Sequence, residues 1–505
     1  MPDLKNLAFR TFLKYCYPPV FSAQLSLKEQ QKTFRDILET VSGTALGKTL
    51  QLQHVKTYTE FRKRVPVTQY PFYETYVERI KAGEQQVMTR DKVRWLGKTA
   101  GTTGGKSKLI PLTRRFIRRT QVAGTFYSLS RIHWLDKTVD ILTHKNFVMT
   151  GGIYEILQPS GIVVGDISAI MMKNIPLPFR TIYVPDNHLV THPSWEYKLK
   201  QIAHDVSTAD VGTISGVPTW HLAVLSEIKK EKSFSKLTDL WKNYRIFFHG
   251  GVNFEPYRKQ FEELTGKNDA LFFETYNATE GFFGIQAGLQ GGDLLLLTNS
   301  GVFYEFIPFT EYGTEKQSVL SLEQVEINVP YVLLVTALNG LLRFTIGDVI
   351  TFTKINPFSF RITGRTQEYI NAFGEDLLLN NVVNALMKTN KVFDASVNEY
   401  TVAPQYISVN NKGRIQFVIE FARPPHNLNA FALELDNQLQ QQNSNYAQKR
   451  SNNLALEALE VISVPAGTFY KWMEQKGKLG GQNKVTRLVN GRSVIEEILE
   501  LTDKK

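Results

Sequence analysis

The 505 residues hold a single cysteine, Cys16. That excludes an intrachain disulfide framework and suits a reducing compartment. Long hydrophobic runs are also missing. The greasiest stretches, 294–297 and 331–335, are strand-sized. They fall far short of the roughly 20 residues that a membrane-spanning helix needs. The opening Met1-Pro2-Asp3-Leu4-Lys5 has no apolar run of the kind that forms a signal peptide's core. No zinc-type cysteine and histidine spacing, aromatic-interleaved basic tract or internal repeat occurs. These absences lead us to expect a soluble cytoplasmic protein that works without nucleic acid, membrane or an obligate protein partner.

Acidic residues are the minority charge, 48 Asp and Glu against 59 Lys and Arg, for a net charge of +11. Such an excess draws nucleic acid, acidic lipid or a polyphosphate. Its densest cluster, Arg114, Arg115, Arg118 and Arg119, falls on one face of an expected helix, where a solvated face is the plainer reading. Hydrophobic residues make up 42% and charged residues 21%. That is enough to bury sizeable cores, and the length suits two or more domains.

Residues 1–90 read as helical and irregular, with apolar residues at helical spacing in Phe34, Ile37, Leu38 and Val41. From 92 to about 300 the pattern alternates. Strands are expected at 92–96, 139–142, 181–184, 211–214, 245–248 and 270–273, and helices at 113–130, 194–206, 219–231 and 255–265. Such alternation argues for a mostly parallel sheet covered on both faces, with ligands at the carboxyl ends of its strands. From 294 to 362 short turn-bounded strands dominate, at 294–298, 302–307, 324–328, 331–337, 341–344 and 349–355. They read as an antiparallel sheet or partial barrel. After Gly364-Arg365-Thr366-Gln367 come a helix at 376–390, a hairpin around 410–413, a helix at 427–442, a strand ending near Val464 and a last helix from Ser493. The expected fold class is α/β. A large N-terminal domain over 1–363 has sheets flanked by helices plus a β-rich subdomain, and a small mobile α+β domain covers 364–505.

The most distinctive stretch is Lys98-Thr-Ala-Gly-Thr-Thr-Gly-Gly-Lys-Ser-Lys108. Glycines let backbone N–H groups turn toward an anion, hydroxyls add donors and lysines add charge. It is not a Walker A loop, because that motif needs glycine where Ala100 stands. A flexible surface loop is the bland alternative.

Four other stretches carry chemistry. In Tyr276-Asn277-Ala278-Thr279-Glu280-Gly281, after the strand at 270–275, an acid beside a hydroxyl can hold Mg²⁺ and touch a phosphate. Tyr276 offers a flat face to a purine, while a solvated or helix-capping glutamate is the alternative. Gly347-Asp348 ends a strand, either as plain turn chemistry or as a carboxylate accepting two ribose hydroxyls. His249-Gly250-Gly251-Val252 lets a flat ring approach the backbone, or simply turns the chain. Gly480-Gly481-Gln482-Asn483-Lys484 places a lysine after flexible glycines, a swinging cation or one more surface lysine.

Taken in order, these stretches resemble the acyl-adenylate-forming enzymes. They are most similar to the auxin-responsive Gretchen Hagen family of acyl acid–amido synthetases, and within it to the bacterial branch. The resemblance is also carried by Thr44-Ala45-Leu46-Gly47-Lys48, Val65-Pro66-Val67, Ser215-Gly216-Val217-Pro218-Thr219-Trp220 and Asn253-Phe254-Glu255-Pro256-Tyr257. Departures are Ala100 where serine is usual, Thr486 for proline and Phe344 for tyrosine. Losing one neutral hydrogen bond at Ala100 costs about 0.5–1.5 kcal/mol, too little to abolish ATP handling.

The resemblance implies ATP and Mg²⁺ as cofactors, with a small carboxylic acid and an amino acid as substrates. It implies phosphate contact at Gly101, Thr102, Thr103 and Gly104, with Lys106 and Lys108 nearby. Glu280 would hold the metal and Thr279 the α-phosphate. Tyr276 and Gly250, Gly251 and Val252 would hold adenine, and Asp348 and Arg365 the ribose. Lys484 would close over the reacting phosphate. Tyr127, Tyr154 and Trp220 stand as candidate walls of an acid pocket. No residue identifies itself as the general base of the second half-reaction. Acyl-coenzyme A formation and a non-catalytic basic binding protein are the alternative functions.

Overall fold

The structure is a computed structural model. It describes the chain apart from residues 1, 19–20, 100–107, 187, 190–194, 252–253, 267–269, 367–368, 371–376, 406–412, 444–445, 448–449, 451–455, 480–483, 490 and 504–505. Two compact units emerge. One holds residues 1–251 and 267–361, the other 252–266 and 362–505. The helix Glu255–Thr265 therefore groups with the second unit, although it follows a strand of the first in sequence.

The first unit contains two sheets. In the four-stranded one, β1 (Val93–Thr99) lies between β2 (Lys108–Thr113) and β5 (Ile162–Gly165), with β4 (Ile153–Leu157) outside β5. The 12-stranded sheet begins at one edge with a parallel half. This half comprises β3 (Lys145–Val148), β6 (Tyr183–Val184), β7 (Val211–Gly216), β8 (Ile246–His249) and β9 (Leu271–Ala278). Its other half is antiparallel: β10 (Gly281–Gln286), β11 (Leu294–Leu296), β12 (Val302–Pro308), β13 (Leu320–Ser321), β14 (Pro330–Ala337), β15 (Phe344–Ile355) and β16 (Phe358–Arg365). The hairpin β9–β10 is the seam between the halves. Aromatic and branched side chains such as Phe247, Phe273, Phe283, Val332 and Leu334 are buried along these strands, as a sheet covered on both faces requires.

The second unit has a hairpin of β19 (Ser396–Gln405) and β20 (Arg414–Arg423), with β21 (Glu460–Val464) parallel to β20. A short pair, β17 (Tyr369–Ile370) and β18 (Leu377–Leu378), precedes them. The helices Leu379–Phe393 and Leu428–Gln442 bury Val382, Leu386, Phe431 and Leu435 in the core of this unit. The hairpin turn expected at 410–413 falls mostly outside the described residues.

Several expectations need correction, each for a local reason. Residues 139–142 are not a strand, because the Asp140 carboxylate accepts from the Leu142 and Thr143 N–H groups that a ladder would need. The strand begins at Lys145 instead. Residues 324–328 contribute only an isolated bridge, Ile327 with Phe352. A tight turn capped by Gln324 on Ser321 and a left-handed Asn328 (φ 63°) interrupt that segment. Of the strand expected at 341–344 only Phe344 is in a strand, as the first residue of β15, because Arg343 is left-handed (φ 48°) and gives its N–H to Thr336 Oγ1. The arginine face at 114–119 is not wholly solvated: Arg115 donates to Thr40 Oγ1, and Arg119 lies 3.7 Å from Asp36.

One buried charge group ties the first unit together. Glu305 on β12 takes Arg343 Nε on both oxygens at 3.1 Å and the Tyr58 hydroxyl at 2.8 Å. Arg343 Nη1 also donates to the Val65 carbonyl at 2.7 Å. An ion pair this buried holds only when its hydrogen bonds are filled, as they are here.

Candidate functional site

β1 and β2 form an antiparallel hairpin, with Gly97 opposite Ile110, Lys98 opposite Leu109 and Thr99 opposite Lys108. Residues 100–107 connect these two strands in sequence and lie outside the described residues, and with them Gly101, Thr102, Thr103, Gly104 and Lys106. The loop's two ends are held at strand spacing by the Thr99–Lys108 pair, about 4.5–5.5 Å between Cα atoms. The segment joins one strand to another, whereas a Walker A segment joins a strand to a helix. Lys108 is half-buried, its ammonium 5.9 Å from the Phe344 ring centroid. The Tyr70 hydroxyl accepts from the Leu109 N–H at 2.9 Å.

The Thr279-Glu280 pair is the tight turn of the β9–β10 hairpin, between paired Ala278 and Gly281. Three contacts fix it. A Cβ on Gly97 would stand 2.4 Å from Thr279 Cγ2, so β1 approaches the turn as only glycine allows. Gln121 Nε2 donates to the Ala278 carbonyl at 2.8 Å. A Cβ on Gly281 would stand 2.6 Å from Phe283. The turn is thereby packed against the last part of β1, just ahead of the 100–107 loop. Thr279 is 1% exposed, and its hydroxyl has no hydrogen-bond partner among the described residues. Buried polar atoms are normally satisfied, so an orphan here fits a bound oxygen. Glu280, next in sequence, is also buried. No three metal-type side chains cluster among the described residues. A single buried carboxylate suits Mg²⁺, which is usually held by one or two carboxylates with phosphate and water.

Tyr276 lies within β9, not after it. Its ring edges onto Phe283 and Phe360, at 5.0 and 6.1 Å between centroids. Its hydroxyl donates to Asp348 Oδ2, joining two residues that the sequence places 72 apart. Asp348 follows Gly347, which is left-handed (φ 95°). At the end of β8, a Cβ on Gly250 would stand 2.4 Å from the Thr275 carbonyl, and Gly251 has φ 80°. Close packing on β9 therefore already demands Gly250, and the left-handed backbone already favours glycine at 251. Val252 lies outside the described residues.

The three aromatic candidates sit in different settings. Tyr127 is buried, its ring edge-on to Tyr17 at 5.2 Å, and its hydroxyl accepts from Asn299 Nδ2. Burial pushes that phenol up to about 12. Trp220 is partly exposed in the first turn of the helix Pro218–Glu231. Tyr154 is half-exposed and donates to Asp166 Oδ2 at 2.5 Å.

In the second unit, Lys484 is exposed and directly precedes an anchored segment. Val402 N–H donates to the Arg487 carbonyl at 2.7 Å, Val489 N–H to the Val402 carbonyl at 3.0 Å, and Thr401 Oγ1 to the Thr486 carbonyl at 2.8 Å. Arg487 lies 4.6 Å over the Tyr400 ring, pairs with Glu399 and donates to the Tyr257 hydroxyl at 2.6 Å. Arg365 ends β16, half-buried.

Sequence reasoning passed over Asp166 and Lys198 entirely. Asp166 follows β5, whose Gly165 pairs with Gly97 of β1. It occupies the N-cap position of the helix Ile167–Lys173, yet its carboxylate caps nothing. Instead Oδ2 accepts from the Gly152 N–H at 2.8 Å and from Tyr154. A Cβ on Gly151 would stand 1.9 Å from that oxygen. The ammonium of Lys98 lies 4.3 Å from the Tyr154 ring centroid. Lys198, 5% exposed, donates to the Gly151 carbonyl at 2.9 Å, and burial pulls its ammonium down to about 8. Burial also raises the Asp166 carboxyl above its ordinary value. The signal was available, because Gly165-Asp166 repeats the dipeptide that drew attention to Gly347-Asp348.

The chain matches the GH3 family N-terminal domain over residues 26–207 and 190–270, the central domain over 295–365 and the C-terminal domain over 380–493. It is 24% identical to a jasmonoyl–L-amino acid synthetase of Nicotiana attenuata, covering 92% of this chain and 91% of that one. It is 22% identical to an indole-3-acetic acid-amido synthetase of Arabidopsis thaliana, covering 92% and 90%. Among solved structures, the GH3.15 acyl acid amido synthetase in complex with 2,4-DB superposes with a TM-score of 0.78 at 16% identity, covering 97% of this chain and 96% of that one. A 2-hydroxyisobutyryl-CoA ligase gives a TM-score of 0.59 at 13% identity, covering 95% and 92%. These likenesses show a shared adenylate-forming-enzyme fold, and with the three domain matches they establish that the chain belongs to the GH3 family.

Proposed function

We propose that this protein activates a small carboxylic acid with ATP and passes the acyl group to an amino acid, forming an amide. The observation that carries the reading is the Thr279-Glu280 turn. It offers an orphaned hydroxyl beside a buried carboxylate, packed on the strand that leads into the glycine, threonine and lysine loop.

A carboxylate is a poor acyl donor because its leaving group would be oxide. One carboxylate oxygen attacks the α-phosphorus, the bond to the bridging oxygen breaks, and pyrophosphate leaves with that electron pair. The acceptor, as its neutral amine after losing a proton to solvent, then attacks the acyl carbon; a C–N bond forms, the C–O bond breaks with its electron pair leaving on AMP, and the nitrogen's remaining extra proton is released. The first step joins two anions, so catalysis is mainly positioning and electrostatic stabilisation. The Thr279 hydroxyl contacts the α-phosphate. Gly101, Thr102, Thr103 and Gly104, with Lys106 and Lys108 nearby, hold the remaining phosphates. Asp348 accepts from the ribose, held in place by the Tyr276 hydroxyl, and Arg365 adds a second ribose contact. Lys484 serves as the cation of the adenylation step. Glu280 would hold Mg²⁺, which when bound neutralises phosphate charge. The compartment is the ATP-rich, reducing cytoplasm.

The test supplies ATP, a candidate acid and an amino acid, and seeks AMP and amide by mass spectrometry. Amide formed in proportion to AMP supports the reading. Thioester formed with coenzyme A, and no amide, overturns the acceptor assignment.

A further inference from the structure

The GH3 reading leaves the amine's binding place unassigned, and the Asp166 group fits it. We propose that Asp166 and Tyr154 form the subsite that binds the ammonium end of the acceptor, selecting a primary amine that is cationic at neutral pH. The proposal rests on the adenylation reading above.

Four observations carry it. Asp166 is 3% exposed, and among the described residues its Oδ1 has no hydrogen-bond partner, while Oδ2 is filled twice. A buried carboxylate with one spare oxygen has room for one more donor, and an ammonium is the donor that gains most there. Second, the Tyr154 ring already carries an ammonium, that of Lys98, so this surface attracts cations. Third, Lys98 and Lys198 offset the carboxylate's charge from nearby, but neither donates a hydrogen bond to it. Lys198 spends its ammonium on the Gly151 carbonyl, fixing the loop whose Gly152 N–H orients Asp166. Lys98 sits on the ring. Fourth, Asp166 follows Gly165, the β1 partner of Gly97, so it stands beside Lys98, two residues ahead of Ala100 and the proposed phosphate loop.

A merely structural carboxylate at an N-cap would cap, which contributes about 1 kcal/mol. Asp166 forgoes this, and Gly151 lacks the side chain that would collide with it. The same carboxylate repels a thiolate, so the subsite disfavours a thiol acceptor. Lys98 offers a counter-charge for a carboxylate on the acceptor, which points to an α-amino acid over a simple amine.

The experiment compares two acceptors with Asp166→Asn and Tyr154→Phe. Hydroxylamine, uncharged at neutral pH, traps an acyl-adenylate as the hydroxamate without needing an ammonium site. Amino acids need one. Asp166→Asn should raise the KM for the amino acid at least tenfold more than it raises that for hydroxylamine. Tyr154→Phe should do so in the same direction by a smaller factor, and stands alone if Asp166→Asn does not fold. Equal losses with both acceptors, or no loss with either, overturns the subsite. If the wild-type protein forms no hydroxamate with any acid, the adenylation reading fails and takes this proposal with it. If hydroxamate forms and the acceptor split is absent, only the subsite fails.

Discussion

Glu305 and Asp166 are both buried carboxylates in the first unit, each with a tyrosine hydroxyl and basic side chains nearby. Their surroundings differ in what is left over. At Glu305 both oxygens meet Arg343 Nε, Tyr58 completes the set, and Arg343 continues to the Val65 carbonyl. At Asp166 one oxygen is filled twice and the other accepts from no described residue, while the two lysines act on it by charge and donate elsewhere, to a carbonyl and over a ring. A saturated group holds the fold together; one with an unfilled oxygen within reach of solvent is available to a ligand. The difference is stoichiometric, not one of burial, since burial raises both carboxyls.

That contrast breaks most visibly at Glu305. Glu305→Gln leaves Arg343 buried without its countercharge and should lower unfolding free energy by about 3–5 kcal/mol in urea titrations. Asp166→Asn should cost far less by the same measurement. Comparable losses at the two sites would erase the distinction. Next in size, Glu280→Gln should slow ATP–pyrophosphate exchange about 10²–10³-fold, as for loss of a charge-stabilising group, with an unchanged thermal melt. Normal exchange would remove Glu280 from the mechanism.

A third test concerns a buried titratable group with no proposed chemistry. His221 is packed between Phe147 and Phe247, at 4.8 and 5.1 Å between centroids, and burial pulls its imidazole down to about 4 from an ordinary 6.5. Below pH 6.5 the unfolded chain takes up a proton that the folded chain refuses, so stability falls as pH drops from 6.5 toward 4. At 1.36 kcal/mol per unit this amounts to about 3 kcal/mol. His221→Phe should flatten that slope in acid titrations of stability, and an unaltered slope would clear His221. Smallest is Gly97→Ala, whose Cβ must displace Thr279. We expect about 1–3 kcal/mol of overpacking strain and a fall in exchange rate. A variant with wild-type exchange would detach Thr279's position from the chemistry.

Much of the frame was legible in the sequence. The strands at 211–214 and 245–248 read correctly because apolar runs there sit between turn residues. The helix 255–265 did so because Pro256 opens it and left-handed Gly266 closes it. Misreadings came from side chains that compete with the ladder, as Asp140 does for two N–H groups. Tyr276, Thr279 and Glu280 were noticed as a motif, but their hairpin geometry depends on Gly281 pairing with Ala278, which composition does not reveal. Asp166 and Lys198 stayed hidden for a different reason. A lysine in an amphipathic helix looks solvated, and nothing local says that the Gly151 carbonyl will bury it.

The central claim is tested most directly by ATP–pyrophosphate exchange over a panel of aryl, indole and alkyl acids, in parallel with Glu280→Gln. The account predicts exchange that requires an acid and collapses in the variant. No exchange with any acid, or exchange indifferent to Glu280, would contradict it.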